Sequence, residues 1–281
     1  MSKRAGALAA PYVFGLVLLV GLPALAALVL AFTEYTGIQA PSFNGLDNLS
    51  RMAADNAFWR SLGNSVIYVL LSVPLRLVIA IGFALLLYRP APGVGAARTA
   101  VFMPSVVPDV AYAFLWLWLL NPIYGPIALA LGSASPDFLT DPWGARIGMA
   151  LMGAFQVGEA FVIALAARRM IPPSLYEAAA VDGASAWFTL KRVTLPLMAP
   201  VMALLALRDI ILSLQVSFVP ALIVTGGGPR NATTYLPLYV YRTAFTYFRF
   251  GYAAALSLSM FVLTAVVVYV QYRLARRYRL I

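Results

Sequence analysis

"EAAAVDGASAWFTLKRVTLP", residues Glu177 to Pro196, lies between two long apolar stretches. It carries two acids (Glu177, Asp182), two bases (Lys191, Arg192), a Gly-Ala-Ser break and a terminal Leu-Pro. Its wider frame, 168–200, reads "RRMIPPSLYEAAAVDGASAWFTLKRVTLPLMAP" and predicts two short helices. Pro172-Pro173 and Ser174 start the first, since proline suits a first helical turn and serine a cap. Asp182-Gly183 ends it, because glycine takes a positive φ without strain. "SAWFTLKRV" is a second amphipathic piece that Pro196 stops. A face of Leu175, Tyr176, Ala179 and Val181 beside Glu177 suits docking in a partner's groove. The same insert, with Trp187 and Lys191-Arg192, equally suits a helix lying on lipid.

The chain around this insert is built for lipid. Of its 281 residues 62% are hydrophobic and 11% charged, with a mean hydropathy of +0.86. Soluble domains carry about 25% charged residues, so the deficit indicates an integral membrane protein. There is no cysteine and no histidine. That removes disulfides, thiolate nucleophiles, the commonest metal ligand and the commonest general base, and no metal site is expected. The net charge of +10 is read as loops facing the cytoplasm and not as nucleic-acid binding.

A helix needs about 20 apolar residues to cross the hydrocarbon. Six segments qualify, at roughly 11–33, 63–88, 98–120, 146–167, 201–224 and 251–272. None alternates as a strand would, which excludes a β-barrel. Pro74, Pro104 and Pro108 fall inside spans, where prolines are tolerated and can kink the helix. The first segment follows Lys3-Arg4 as a secretory signal would, but its apolar run is too long, so it is read as a retained helix. With the N-terminus inside, Lys3, Arg4, Arg89, Arg98, Arg168, Arg169, Lys191, Arg192, Arg273, Arg276, Arg277 and Arg279 are cytoplasmic. Arg51, Arg60, Arg146, Arg230, Arg242 and Arg249 are outside. This twelve-to-six bias places both termini in the cytoplasm. With no internal repeat, residues 1–281 are read as one membrane domain.

Charges within spans are costly and point to function. Gln156 and Glu159 share one face of span four, and Asp209, Ser213 and Ser217 share one face of span five. Facing one another, these stripes give a polar cleft suited to a polyol, with Tyr112, Trp116 and Trp118 available to stack on sugar rings. The competing reading is structural pairing. Arg76 is placed to pair with Glu159 or Asp209, while a phosphorylated solute would favour Arg76 or Arg208 as contacts and a neutral sugar the acids and amides. Arg208 and Asp209, adjacent on a helix, point apart and are not a natural pair, and Arg208 is close enough to the start of its span to snorkel to the cytoplasmic face. Asp109, after Pro108, belongs at a bent or exposed point. Glu159 and Asp209 also suit a proton-coupled secondary transporter. An intramembrane hydrolase has no His, Cys or serine–base pair to work with. "TGGGP", Thr225 to Pro229, lacks the lysine of a phosphate-binding loop and reads as a tight turn.

The insert resembles the signature of ABC importer permeases, in which Glu-Ala-Ala is followed by Gly, an aliphatic residue and Leu-Pro at fixed spacing. Here these are Glu177-Ala178-Ala179, Gly183, Val193 in the place of the usual Ile, and Leu195-Pro196. "YEAAAVDGASAW" and "TLPLMAP" are similar to the carbohydrate-uptake branch, which includes maltose and glycerol-phosphate permeases. Collinear blocks extend the likeness over nearly the whole chain: "GLDNLSRM", "FWRSLGNSVIY", "RTAVFMPSVVP", "LWLWLLNPIYGPI" and "IVTGGGPRNATT".

This resemblance implies an all-α, six-span type I importer subunit that translocates a sugar, an amino sugar or a glycerol-phosphate ester by alternating access. Glu177, Ala178, Ala179, Asp182, Gly183, Leu195 and Pro196 are then the residues that couple to an ATPase. The implied partners are two copies of a cytoplasmic ATPase holding ATP and Mg, a second homologous permease and an external solute-binding protein. The implied location is the bacterial or archaeal cytoplasmic membrane. Nothing in this chain would bind ATP, since it lacks G-x-x-x-x-G-K-[ST], and it would break no bond in its solute. A rival secondary transporter has no use for such an insert.

Overall fold

The computed structural model describes residues 3–277. In chain order its helices begin with α1 (Lys3–Leu16) and α2 (Leu22–Leu30), joined by a π-helical turn at Val17–Gly21. Then come α3 (Asp47–Ala54), α4 (Asn56–Leu86), α5 (Val94–Phe102) with a 3-10 turn Met103–Val106, α6 (Asp109–Leu119) and α7 (Pro126–Leu131). They are followed by α8 (Pro142–Phe155), α9 (Gly158–Arg169), α10 (Pro173–Val181), α11 (Ala186–Thr189), a π turn Leu190–Thr194 and α12 (Leu195–Val216). Last are α13 (Phe218–Pro220), α14 (Leu236–Tyr241) and α15 (Phe250–Arg277). Strands β1 (Thr33–Glu34) and β2 (Ser42–Phe43) pair antiparallel. Arg279, counted above among the inside charges, lies outside the described residues.

Among the described residues, four helices are long and apolar enough to cross a bilayer: Ala10–Leu30, Asn56–Leu86, Ala186–Gln215 and Phe250–Arg277. Two bent pairs bring the total to six if each pair is one span. The fold is therefore the all-α membrane class that the sequence predicts, but four spans are built differently from expectation.

Span three is not one helix. Val94–Val106 and Asp109–Leu119 meet at 101°. Val107 and Pro108 are both extended (ψ 128° and 139°). Proline pushes the residue before it out of the helical region and has no N–H to continue the ladder. The helix restarts when Tyr112 N–H donates to the Pro108 carbonyl at 2.9 Å.

Span four breaks by 50° between Pro142–Phe155 and Gly158–Arg169, with no proline to announce it. Gln156 leaves the helix (ψ 54°), and the Gly158 N–H donates to Ser105 Oγ at 2.9 Å. A Cβ on Gly158 would lie 2.6 Å from that Oγ and 2.9 Å from the Phe102 carbonyl oxygen. Only glycine lets the start of α9 seat against the broken span three.

Span five starts earlier than 201, and Pro196 does not stop the second helix of the insert. Ala186–Gln215 runs through it. The π turn Leu190–Thr194 widens the helix just before Pro196, which sits in the first turn of α12. A widened turn absorbs the missing N–H and the ring of a proline. Span two also starts earlier than 63, because Asp55 Oδ1 accepts the Ala57 N–H at 2.8 Å and fixes the start of α4.

The described chain separates into two compact units. The first comprises Met1–Arg60 and Tyr239–Leu263. Here Asn48 Nδ2 donates to the Ala31 and Thr33 carbonyls at 3.0 and 2.8 Å, closing the segment that carries β1 onto α3. Asp55 Oδ2 accepts from the Tyr239 and Tyr252 hydroxyls at 2.5 and 2.6 Å.

The second unit comprises Ser61–Leu238 and Thr264–Ile281. It has two apolar clusters, one around Tyr68, Trp116, Met149 and Tyr235, the other around Ala80, Phe161, Ala164 and Met198. Helix α9 packs on α5 and α12. Its buried residues include the small Gly158, Ala160, Ala164 and Ala167 beside Phe161, Leu165 and Arg168. Small residues let membrane helices approach closely.

Candidate functional site

A cavity of about 340 Å³ opens in the second unit, walled by α4, α8, α9, α12 and the two broken spans. Gln156, Glu159, Asp209, Ser213 and Ser217 all line it, so the structure brings the two predicted stripes to one place. Asp109 joins them from the bend in span three, as expected of its position. The breaks matter here. Irregular backbone is tolerated at membrane depth where it lines a cavity, and Ser105, Asp109 and Gln156 all sit at breaks.

Ion pairs cross this wall. Arg76 Nη1 lies 3.9 Å from Asp209 Oδ1, and Arg76 Nε donates to the Gly153 carbonyl at 2.9 Å. Arg208 Nη1 lies 3.6 Å from the same Asp209 oxygen, and its Nη2 contacts Glu159 Oε2. Two expectations are thereby corrected. Sequence neighbours Arg208 and Asp209 do pair, and Arg208 turns into the cavity instead of running to the cytoplasmic face. Helical geometry separates their Cβ atoms, but the long Arg208 stem swings its guanidinium back between two carboxylates.

One edge of α12 carries capacity that the protein does not use. Asp209, Ser213 and Ser217 are buried, 1%, 5% and 3% exposed. Asp209 Oδ2, Ser213 Oγ and Ser217 Oγ have no hydrogen-bond partner among the described residues. Buried polar atoms are rarely left so. Three on one helix edge, all facing a cavity, form a surface ready for the hydroxyls of a guest.

Of the three aromatic residues offered for stacking, only Tyr112 lines the cavity; its hydroxyl donates to the Met152 carbonyl at 2.8 Å. Trp116 is locked in the first apolar cluster, and Trp118 is exposed. Sequence reasoning missed Tyr68 and Ser105, which both line the wall. Tyr68 had a signal, because Tyr68, Ser72 and Arg76 repeat the four-residue spacing of Asp209, Ser213 and Ser217. Ser105 had none beyond its place between two prolines.

The insert is built as two helices with a sharp corner. Helix α10 closes with the Ala184 N–H on the Ala179 carbonyl at 2.9 Å and the Asp182 N–H on the Ala178 carbonyl at 3.0 Å. Gly183 stands at φ +71°, the left-handed conformation such a corner requires. Ser185 Oγ then accepts the Phe188 N–H at 3.2 Å and caps α11.

At its root the insert is anchored. The Tyr176 and Thr194 hydroxyls bond at 3.1 Å. The Arg168 guanidinium lies between the Tyr88 and Tyr176 rings, 4.0 and 4.3 Å from their centres. Tyr176 therefore belongs to the inner side and not to the docking face assigned to it, while Ala179 is half-buried. Leu175, Val181, Trp187 and Phe188 are bare (42%, 88%, 64% and 54% exposed). Glu177, Ala178, Asp182 and Pro196 are also exposed, while Leu195 packs on the second apolar cluster. The Thr225 to Pro229 stretch is a tight turn, with the Gly227 N–H on Thr225 Oγ1 at 3.2 Å.

Residues 49–280 match the family described as "Binding-protein-dependent transport system inner membrane component". The chain is 33% identical over 271 residues to the probable ABC transporter permease protein YesP of Bacillus subtilis (strain 168), covering 94% of this chain and 87% of that one. It is 32% identical to the lactose transport system permease protein LacF of Rhizobium radiobacter, covering 90% and 88%. A subunit of a bacterial alginate ABC transporter, solved in complex with its alginate pentasaccharide-bound periplasmic protein, superposes with a TM-score of 0.84 at 25% identity, covering 97% and 93%. This chain belongs to the family of membrane permease components of binding-protein-dependent ABC transport systems.

Proposed function

We propose that this chain is a sugar-translocating permease subunit that opens its polar cavity alternately to the two sides of the cytoplasmic membrane. An external binding protein delivers the solute. Two copies of a cytoplasmic ATPase, holding ATP and Mg, supply the motion, and a second related permease completes the pathway. Residues 1–281 act as one permease domain with both termini inside. The coupling residues are Glu177, Ala178, Ala179, Asp182, Gly183, Leu195 and Pro196, and the solute pathway includes Gln156, Glu159, Asp209, Ser213 and Ser217.

The observation that carries this reading is the insert, clasped at its root by Arg168 and Tyr176 and bare at its tip through Val181, Trp187 and Phe188. A rigid corner with an exposed apolar edge suits a lever seated in a partner's groove. The named cargoes of its relatives support a saccharide: lactose for one, and the acidic polysaccharide alginate for another.

The test is capture of the tagged chain from its native membrane in mild detergent, wild type beside Gly183→Asp. Aspartate tolerates φ +71° better than most side chains, so the variant acts chiefly by placing a charge on the exposed corner. An ATPase should come down with the wild type and be depleted from the variant. A wild-type capture that brings no ATPase, in detergent that preserves other membrane complexes, rules the reading out.

A further inference from the structure

Kinship leaves the charge of the solute open, since relatives carry both neutral and acidic saccharides. The cavity decides it. Its wall holds two cations, Arg76 and Arg208, against three anions, Asp109, Glu159 and Asp209, so the wall carries one more negative than positive charge. Both cations are already committed. Arg208 lies against Glu159 and Asp209, and Arg76 against Asp209 and the Gly153 carbonyl. The fully buried side-chain atoms of the wall that are left without a partner are all oxygens. Asp209 Oδ2 is a buried carboxylate oxygen, which as an ionised group only accepts, and Ser213 and Ser217 add hydroxyls that accept or donate.

An anionic guest at Arg76 would have to displace Asp209, 1% exposed, and leave that carboxylate buried beside it, and at Arg208 it would meet two carboxylates, Glu159 and Asp209. Removing one partner of a buried pair is strongly unfavourable. A hydroxyl guest donates to Asp209 Oδ2 and exchanges bonds with the two serines, and no ion pair is broken. We infer that the solute accepted at this cavity is a polyol without an anionic group, and that carboxylated or phosphorylated saccharides are refused there. This rests on the importer reading above and narrows it, setting aside the glycerol-phosphate ester.

The test uses the assembled transporter, captured through this chain and placed in lipid nanodiscs. Methyl β-D-glucoside and methyl β-D-glucuronide differ in a CH₂OH against a carboxylate, and saturation-transfer NMR reads their weak binding. The glucoside should bind, and the glucuronide at least about tenfold more weakly. The glucoside signal should vanish in Ser213→Leu, which fills the cavity. Ser217→Val is the second blocking variant should Ser213→Leu fail to assemble. Equal or tighter glucuronide binding that either blocking variant removes overturns the inference. So does binding of both probes that neither variant affects, or binding of neither probe. The importer reading is judged separately in the same preparation, by whether an ATPase co-elutes.

Discussion

Asp55 keeps a charge in half-buried surroundings because donors converge on it. Burial pushes its carboxyl up, but hydrogen bonds from Tyr239, Tyr252 and the Ala57 and Phe58 backbone outweigh that and hold it below its ordinary value. The reciprocal effect lifts the Tyr239 phenol to about 12, first through burial and then through Asp55. The signs follow. A depressed carboxyl contributes stability above its unfolded value of about 4 and loses it as pH falls through the folded value. A raised phenol contributes below about 10 and loses that as pH rises through its folded value. Asp55→Asn should therefore cost about 1–2 kcal/mol near neutral pH, the range for hydrogen bonds to a charged group at a half-buried site. Thermal unfolding in detergent measures it. The gap from wild type should narrow as the pH is lowered past about 4. An unchanged gap across that range would mean the charge contributes nothing.

Helix α9 links cavity and insert within one element. Its 12 residues span about 18 Å, with Glu159 on the cavity wall at one end and Arg168 between Tyr88 and Tyr176 at the other. Arg168→Leu keeps the bulk and removes both ring contacts, a loss of about 1–3 kcal/mol. Amides of α10 should then exchange hydrogen faster while those of α8 stay as in the wild type. If α10 exchanges no faster, the clasp does not order the insert. The insert's outline was legible because its signals are local, a Pro-Pro start and a corner glycine, although Ser174 lies inside α10 and caps nothing and Leu-Pro ends no helix. The Asp209, Ser213, Ser217 edge was legible because polar residues at four-residue spacing in an apolar helix have few other uses. The clasp was not, since Arg168 meets a ring at Tyr88, far away in sequence. Nor was the turn of Arg208 toward its neighbour, because helix geometry places a Cβ and not the end of a flexible stem. The break at Gln156 was hidden for a third reason. It is stabilised by an acceptor, Ser105 Oγ, that belongs to another span.

At the scale of the molecule, most exposed apolar side chains lie on spans, Leu19, Leu70 and Phe261 among them, where lipid is their solvent. Val181 is different. It is 88% exposed, lies on a nine-residue helix between charged residues, and belongs to no spanning segment. The neighbouring span begins at Ala186 and runs 30 residues, about 45 Å. That exceeds a hydrocarbon core of about 30 Å, so its charged start at Lys191-Arg192 stands clear of the hydrocarbon. Two surfaces suit such an edge, a protein groove and the lipid headgroups, and they respond differently to charge. An apolar groove refuses a lysine and a glutamate alike. An anionic headgroup layer welcomes the lysine and repels the glutamate. Val181 is so exposed that neither substitution should disturb the fold. Under the proposed function, Val181→Lys and Val181→Glu should each reduce ATPase recovery at least about tenfold, a loss of roughly 1.4 kcal/mol. Expression and detergent melting should match the wild type. Retention of the ATPase by Val181→Lys, with loss only in Val181→Glu, would instead assign this edge to the membrane surface and require another site for the coupling contact.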